Sequence, residues 1–244
     1  MESLKIKPYK KSDQHSYVFG EYSVRKLIEE KPEIVKGILI HSKYDDIPSL
    51  VKLCENANLP YLISDKAVNR VSNNDNRHVV GVFNKYEANI DAMQPHIVLV
   101  NPKVSGNIGT IIRTADGFNI KNVAIISPAS DIFNPKVVQA SMSSLFSVNF
   151  QYFDSFLDYQ SKFPSHELYP FMLKDASSLE RRVKDSSSLF SLIFGNESSG
   201  LPDEFSQIGK PTKIPQSITI DSLNLGVAVG IAAYKFAFHH GLIE

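Results

Sequence analysis

The chain has 244 residues, 43% of them hydrophobic and 21% charged. These are the proportions of an ordinary folded protein, and they exclude collagen-like, disordered and disulfide-scaffold classes. Twenty-six basic residues balance twenty-six acidic ones, so no global cationic field gathers nucleic acid, and any such contact must be local. The single cysteine, Cys54, forms no internal disulfide. The opening MESLKIKPYKK has no apolar run of signal-peptide length, and together these give the expectation of a cytoplasmic chain. The longest uncharged apolar segment, residues 223–234, is shorter than the ~20 residues that cross a bilayer.

After a polar, Lys-bearing start, hydrophobic periodicity predicts a helix over EYSVRKLIEE, opening after Gly20. A strand at GILIH, a helix across IPSLVKLCENA, a short strand YLI and a strand HVVGVF follow. Cys54 lies on the apolar stripe of the second helix and reads as a small core residue. The stretch NKYEANIDAMQP, residues 84–95, loses its period and ends in Pro95, which marks a linker. From His96 a second series begins with strand IVLV, a helix through Phe118, strand VAII, helix KVVQASM and strand SVNF. Later strands fall at LYPFML, SLFSLIF and TKI. Strands alternating with helices predict an α/β fold, a mostly parallel sheet with helices on both faces. The chain divides in this reading into domains 1–90 and 91–244.

Three segments carry polar groups where an open α/β sheet binds ligands. In NPKVSGNIGTIIRTADGF, Ile108, Ile111, Ile112, Ala115 and Phe118 gather on one helix face and Arg113 points nearly opposite. Asn107 stands where an N-cap would be, so a capping residue followed by a solvated arginine is the plain alternative. In SLFSLIFGNESSGLP, a buried-strand run ends in two glycines flanking Glu197, either a site carboxylate or an exposed acid in a turn. In KIPQSITIDSLNLGVAVGIAAYKFAFHH, a polar loop precedes a helix apolar almost all the way round, which must be buried on most sides. Ser222, Leu223 and Asn224 are expected in its first turn, where free N–H groups and the dipole's positive end are available. Gly226 and Gly230, four apart, invite another backbone to pack closely, such as that of a second subunit. Phosphate-loop, dinucleotide and metal-ligand spacings are missing, so no metal is expected.

Taken together, NIGTIIRTA, FGNESSGL and IPQSITIDSLNLGVAVG resemble the three ordered motifs of the SpoU (TrmH-like) RNA ribose 2′-O-methyltransferases of the SPOUT class. GEYSVRKL and RHVVGVF resemble, more weakly, the small L30e-like RNA-binding domain that precedes the catalytic domain in that family. The resemblance implies an L30e-like N-terminal domain and a SPOUT domain with a C-terminal trefoil knot. It also implies S-adenosylmethionine as cofactor and a homodimer through the catalytic domain. The cofactor positions carried over are Gly195, Gly200, Ile214, Pro215, Leu223 and Asn224. The catalytic positions are Asn107, Arg113, Glu197, Ser222 and Asn224. The expected substrate is structured RNA, 23S ribosomal RNA with guanosine favoured, the alternatives being transfer RNA or a non-catalytic RNA- or ribosome-binding role.

A guanidinium is a poor proton acceptor near neutrality. Arg113 is therefore expected to clamp a phosphate and stabilise developing alkoxide, its planar fork held by Asn107 and Glu197. A strip of Lys5, Lys7, Lys10, Lys11, Arg25 and Lys26, with Gln139 where many relatives carry arginine, is the expected RNA contact.

Overall fold

The computed structural model describes residues 6–72 and 77–244. In chain order these form β1 (His15–Phe19), α1 (Glu21–Glu30), β2 (Val35–Ile40), α2 (Ile47–Asn56), β3 (Tyr61–Ile63), α3 (Asp65–Val71) and β4 (Val79–Asn84). There follow β5 (His96–Val100), α4 (Ser105–Gly117), β6 (Asn122–Ile126), α5 (Pro135–Ala140), β7 (Asn149–Phe153), α6 (Phe156–Lys162) and β8 (Glu167–Pro170). The remainder is β9 (Ser177–Ser178), α7 (Leu179–Lys184), β10 (Phe190–Phe194), β11 (Thr212–Lys213) and α8 (Leu225–His239). No described helix is long and apolar enough to cross a membrane.

The described contacts form two compact units, residues 1–86 with 131–146, and residues 87–130 with 147–244. In the first, the sheet order is β1-β4-β2-β3, with β4 antiparallel to both β1 and β2 and β2 parallel to β3. Tyr17, Leu39, Val68, Val80 and Val82 fill one side. On α1, Val24 and Leu27 come so close to Gly81 of β4 that a Cβ there would lie 3.1 Å from a Leu27 methyl. Cys54 is buried in α2, and burial pushes its thiol up. Residues 131–146 join this unit although the linker at 84–95 would assign them to the second. The reason is aromatic: Phe133 and Phe146 lie 6.2 and 5.2 Å from the Phe83 ring. The Ser16 hydroxyl also donates to the Phe133 carbonyl at 2.5 Å.

The second unit carries the five-stranded sheet β7-β6-β5-β10-β8, parallel throughout. Its central strands are buried on both faces, which is why IVLV, VAII and FSLIF read as unbroken apolar runs. Val98, Val100, Ala124 and Ile126 face the cluster of Tyr159, Phe163 and Phe205. On α8, Phe236 stands 4.8 Å from the Phe190 ring and 4.9 Å from the Tyr169 ring.

Helices α4 and α8 pack along a stripe at four-residue spacing. A Cβ on Gly226 would lie 3.4 Å from the Thr110 methyl, one on Gly230 would lie 3.9 Å from the Thr114 methyl, and Phe118 meets Tyr234 at 5.8 Å. The backbone that Gly226 and Gly230 admit is thus α4 of the same chain. Nor is α8 buried on most sides: Val227 (51%), Tyr234 (45%) and Phe238 (59%) form an exposed apolar edge.

Candidate functional site

The loops at the C-terminal ends of β5 and β10 meet beside the start of α8. Asn101, in the left-handed region at φ 53°, donates its amide to the Ser127 carbonyl at 2.7 Å. Asn196 in turn donates to the Asn101 carbonyl at 2.7 Å. Sequence reasoning missed these two asparagines, whose only signal is their place just past a buried strand. Around them the 194–201 loop folds back on itself, with Asn196 and Gly200 exchanging backbone hydrogen bonds of 3.2 and 2.9 Å. Gly200 has φ +68°, and a Cβ on Gly195 would come within 2.1 Å of the Gly200 backbone, so glycine is required at 195 by contact and favoured at 200 by conformation.

Inside this loop Glu197 reaches the start of α4. Its carboxylate accepts the N–H of Lys103 at 3.1 Å, the N–H of Val104 at 2.9 Å and the side-chain amide of Asn107 at 3.3 Å. The residue at the N-cap, Val104, has no capping side chain. A carboxylate from more than ninety residues away therefore satisfies the helix's free donors and meets its positive dipole end. Burial alone would raise the Glu197 carboxyl; the backbone N–H groups and the Asn107 amide outweigh it and hold it below its ordinary value. Asn107 is the third residue of α4, not its N-cap.

The Asn107 side-chain oxygen accepts the Asn224 amide at 3.4 Å, and the Asn224 side-chain oxygen accepts the Gly226 N–H at 2.9 Å. Asn224 is thus the N-cap of α8, while Ser222 and Leu223 precede the helix. The three motifs are joined by one chain of side chains, Glu197 to Asn107 to Asn224, which ties the N-termini of α4 and α8 together.

Arg113 stands apart from that chain. Six residues beyond Asn107, it lies about 9 Å further along the helix and turned by about 120°. Its side chain is exposed and makes no hydrogen bond or ion pair with another described residue. The expectation that Asn107 and Glu197 hold its fork is therefore corrected, because both spend their bonds on helix N-termini.

A cavity of about 440 Å³ opens between residues 171–174 after β8, the 194–201 loop and the segment from Thr212 to Leu225. Gly195, Glu197, Gly200, Ile214, Ser222 and Leu223 line it; Pro215, Asn224, Asn107 and Arg113 do not. Its charged lining residues include Lys174, Asp203 and Asp221, whose charged groups make no ion pair or hydrogen bond among the described residues, although the Asp221 carbonyl accepts the Gln216 side-chain amide at 3.4 Å. The volume is that of a small-molecule site.

Of the expected RNA strip in the first unit, Lys5 lies outside the described residues. Lys7 pairs with Asp13 at 2.6 Å, Arg25 with Glu21 at 2.8 Å and Lys26 with Glu29 at 2.9 Å. Gln139 accepts a hydrogen bond from Arg77 at 2.6 Å, and the Arg77 guanidinium lies 4.8 Å from the Phe19 ring centre. Arg77, a cation on an aromatic face, is a residue that the sequence reading passed over.

The sequence family described as SpoU rRNA Methylase matches residues 94–234, the whole span of the three motifs. The chain is 26% identical over 219 residues to the 23S rRNA (guanosine(2553)-2′-O)-methyltransferase RlmP of Bacillus subtilis, an alignment covering 88% of this chain and 85% of that one. Among solved structures, the AdoMet-bound rRNA methyltransferase of Sinorhizobium meliloti superposes with a TM-score of 0.80 at 23% identity, covering 93% of this chain and 88% of that one. A structure described by 2-OH methylation of C/U34 on tRNA matches at 30% identity and a TM-score of 0.55, covering 62% of this chain and 97% of that one. With the family match spanning more than half of its length and all three motifs meeting at one sheet edge, the chain belongs to the SpoU rRNA Methylase family.

Proposed function

We propose that the chain is an S-adenosylmethionine-dependent methyltransferase acting on a ribose 2′-hydroxyl of 23S ribosomal RNA, with guanosine as target. The observation that carries this reading is the joining of the three motifs beside a cavity of cofactor size. The lining fits the cofactor in kind. The close Gly195–Gly200 approach keeps the loop thin, Ile214 and Leu223 offer apolar surface to a flat heteroaromatic ring, and Lys174, Asp203 and Asp221 are available to an amino-acid group. S-adenosylmethionine, when bound, supplies an activated methyl on a sulfonium.

The protein's own work is then alignment. Glu197, Asn107 and Asn224 fix the ends of α4 and α8 and act as positioning residues. Ser222, on the cavity wall, is within the set that would meet the sugar. Arg113, exposed and unpaired among the described residues, would clamp an RNA phosphate and stabilise charge developing on the attacking oxygen. Arg113 does not line the cavity of its own chain. The apolar edge of Val227, Tyr234 and Phe238 supports a homodimer through this unit. The trefoil knot belongs to the same proposal, supported by the return of the 212–225 segment along the 194–201 loop.

The first unit is proposed to be the L30e-like RNA-binding domain. The relative named for 23S rRNA aligns over 88% of the chain, whereas the structure described for tRNA covers 62%. This favours ribosomal RNA. Mapping 2′-O-methyl groups in RNA from cells with and without this chain tests the reading. One 23S guanosine should lose its methyl; loss at a transfer-RNA position, or at none, would contradict it.

A further inference from the structure

At the opposite end of the second unit's sheet, where β5 and β10 begin, lies a buried polar cluster that the proposed reaction does not use. His96 opens β5 and pairs with Ser191 of β10; both are fully buried. Tyr159 of α6 and His166, just before β8, complete it, with the two imidazole centres 4.2 Å apart. His96 Nε2 faces the Asp91 carbonyl at 2.8 Å and His166 Nε2 faces the Ala92 carbonyl at 3.0 Å. A carbonyl only accepts, so both Nε2 atoms carry protons and, in neutral rings, both Nδ1 atoms are bare acceptors.

The three remaining contacts are His96 Nδ1 to the Tyr159 hydroxyl at 2.8 Å, that hydroxyl to Ser191 Oγ at 2.6 Å, and Ser191 Oγ to His166 Nδ1 at 2.9 Å. Two hydroxyl protons must serve three contacts. If Tyr159 donates to His96 and Ser191 donates to His166, the 2.6 Å contact between the oxygens has none. Any other assignment moves the deficit without removing it: five contacts, four protons. A fifth proton on His166 Nδ1 closes the count. That N–H donates to Ser191 Oγ, Ser191 donates to the Tyr159 oxygen, and Tyr159 donates to His96.

We propose that these four side chains form a single-proton latch, holding the Asp91–Ala92 backbone to the base of the sheet, which is fully bonded only when His166 is protonated. His166 is its seat because the Phe190 carbonyl also favours a proton on that ring, while His96 is taken down to about 4 by burial and by its neighbour's charge. Burial also lowers His166, so the proton is taken up below the ordinary histidine value. The other charged groups near the latch are engaged elsewhere. Glu167 of β8 pairs with Lys210 at 2.8 Å, Lys162 of α6 lies over the Phe153 and Phe163 rings, and the Asp91 carboxylate accepts the Met93 N–H at 2.9 Å.

Imidazole NMR titration of the full chain tests the latch. In the wild type, His166 should take up one proton as pH falls, His96 changing its hydrogen-bond signal while staying neutral. Tyr159→Phe and Ser191→Ala each leave three contacts for three protons, so either variant should lower the apparent pKa of His166 by about half to one unit, the worth of one hydrogen bond. Two variants guard against one failing to fold. An unchanged His166 pKa in the folded variants, or His96 charging before or together with His166 in the wild type, would overturn the proposal.

Discussion

Arg113 and Glu197 divide the site's charge between two tasks. The carboxylate is consumed by helix donors, while the guanidinium has no partner among the described residues. A planar fork that grips a phosphate at two points has no ammonium equivalent. Arg113→Lys should therefore lose kcat almost as completely as Arg113→Ala, about 10²–10³-fold, with cofactor affinity unchanged. Single-turnover methyl transfer with calorimetric cofactor binding measures both; near-normal turnover by the lysine variant would contradict the clamp. Glu197→Ala strips three donors of their acceptor and should cost about 1–3 kcal/mol, read as a lowered denaturant midpoint. Because the folded carboxyl lies below its ordinary value of 4.5, its contribution is present above that pH and is lost as pH falls through the lower, folded value. The wild type should therefore lose stability over that acidic interval, and Glu197→Gln should lose less there. Glu197 itself was legible as an acid at a strand end. Its partners were not, because a helix cap from a distant loop leaves no mark in local spacing, and the same blindness made Asn107 look like its own helix's cap.

At the scale of elements, the long helices and most strands were readable, as were the short α5, β3 and β11, while other elements of similar length were not. Helices α1, α2 and α4 stand where their apolar stripes predict them, and α8 where its continuous apolar run does. Helices α3, α6 and α7, of seven, seven and six residues, were passed over, and β1 hides in a polar, Lys-bearing flank. The apolar character of α8 was read as burial on most sides, whereas the structure leaves one edge open, since composition alone carries no direction. The stripe shared by α4 and α8 makes a graded prediction. Gly230 has room for a methyl and Gly195 has none. Gly230→Ala should stabilise by about 0.5–1 kcal/mol through helix propensity. Gly195→Ala should force the 194–201 loop open and abolish cofactor binding. Thermal melts with and without S-adenosylmethionine distinguish the two, and equal effects would contradict the packing described.

Over the whole chain, a net charge of zero leaves RNA affinity to local cations. Lys7, Arg25 and Lys26 have acidic neighbours within 3 Å, but exposed pairs of this kind are worth little and exchange readily for phosphates. Deleting residues 1–11 should weaken RNA binding and reduce the slope of log affinity against log salt by about two to three, close to one per lysine engaged. An unchanged slope would remove the strip from the interface. The first unit gives way to the second between residues 86 and 87, inside the stretch that loses its period, but the return of residues 131–146 to the first unit depends on aromatic contacts with Phe83 that no local pattern announces.

The most direct measurement is transfer of tritiated methyl from S-adenosylmethionine to unmodified 23S ribosomal RNA by the purified chain, followed by nuclease digestion to locate the label. One methyl per RNA on a ribose 2′-oxygen, lost with Arg113→Ala, is the predicted result. Label on a base, or none at all from protein that binds the cofactor, would contradict the account.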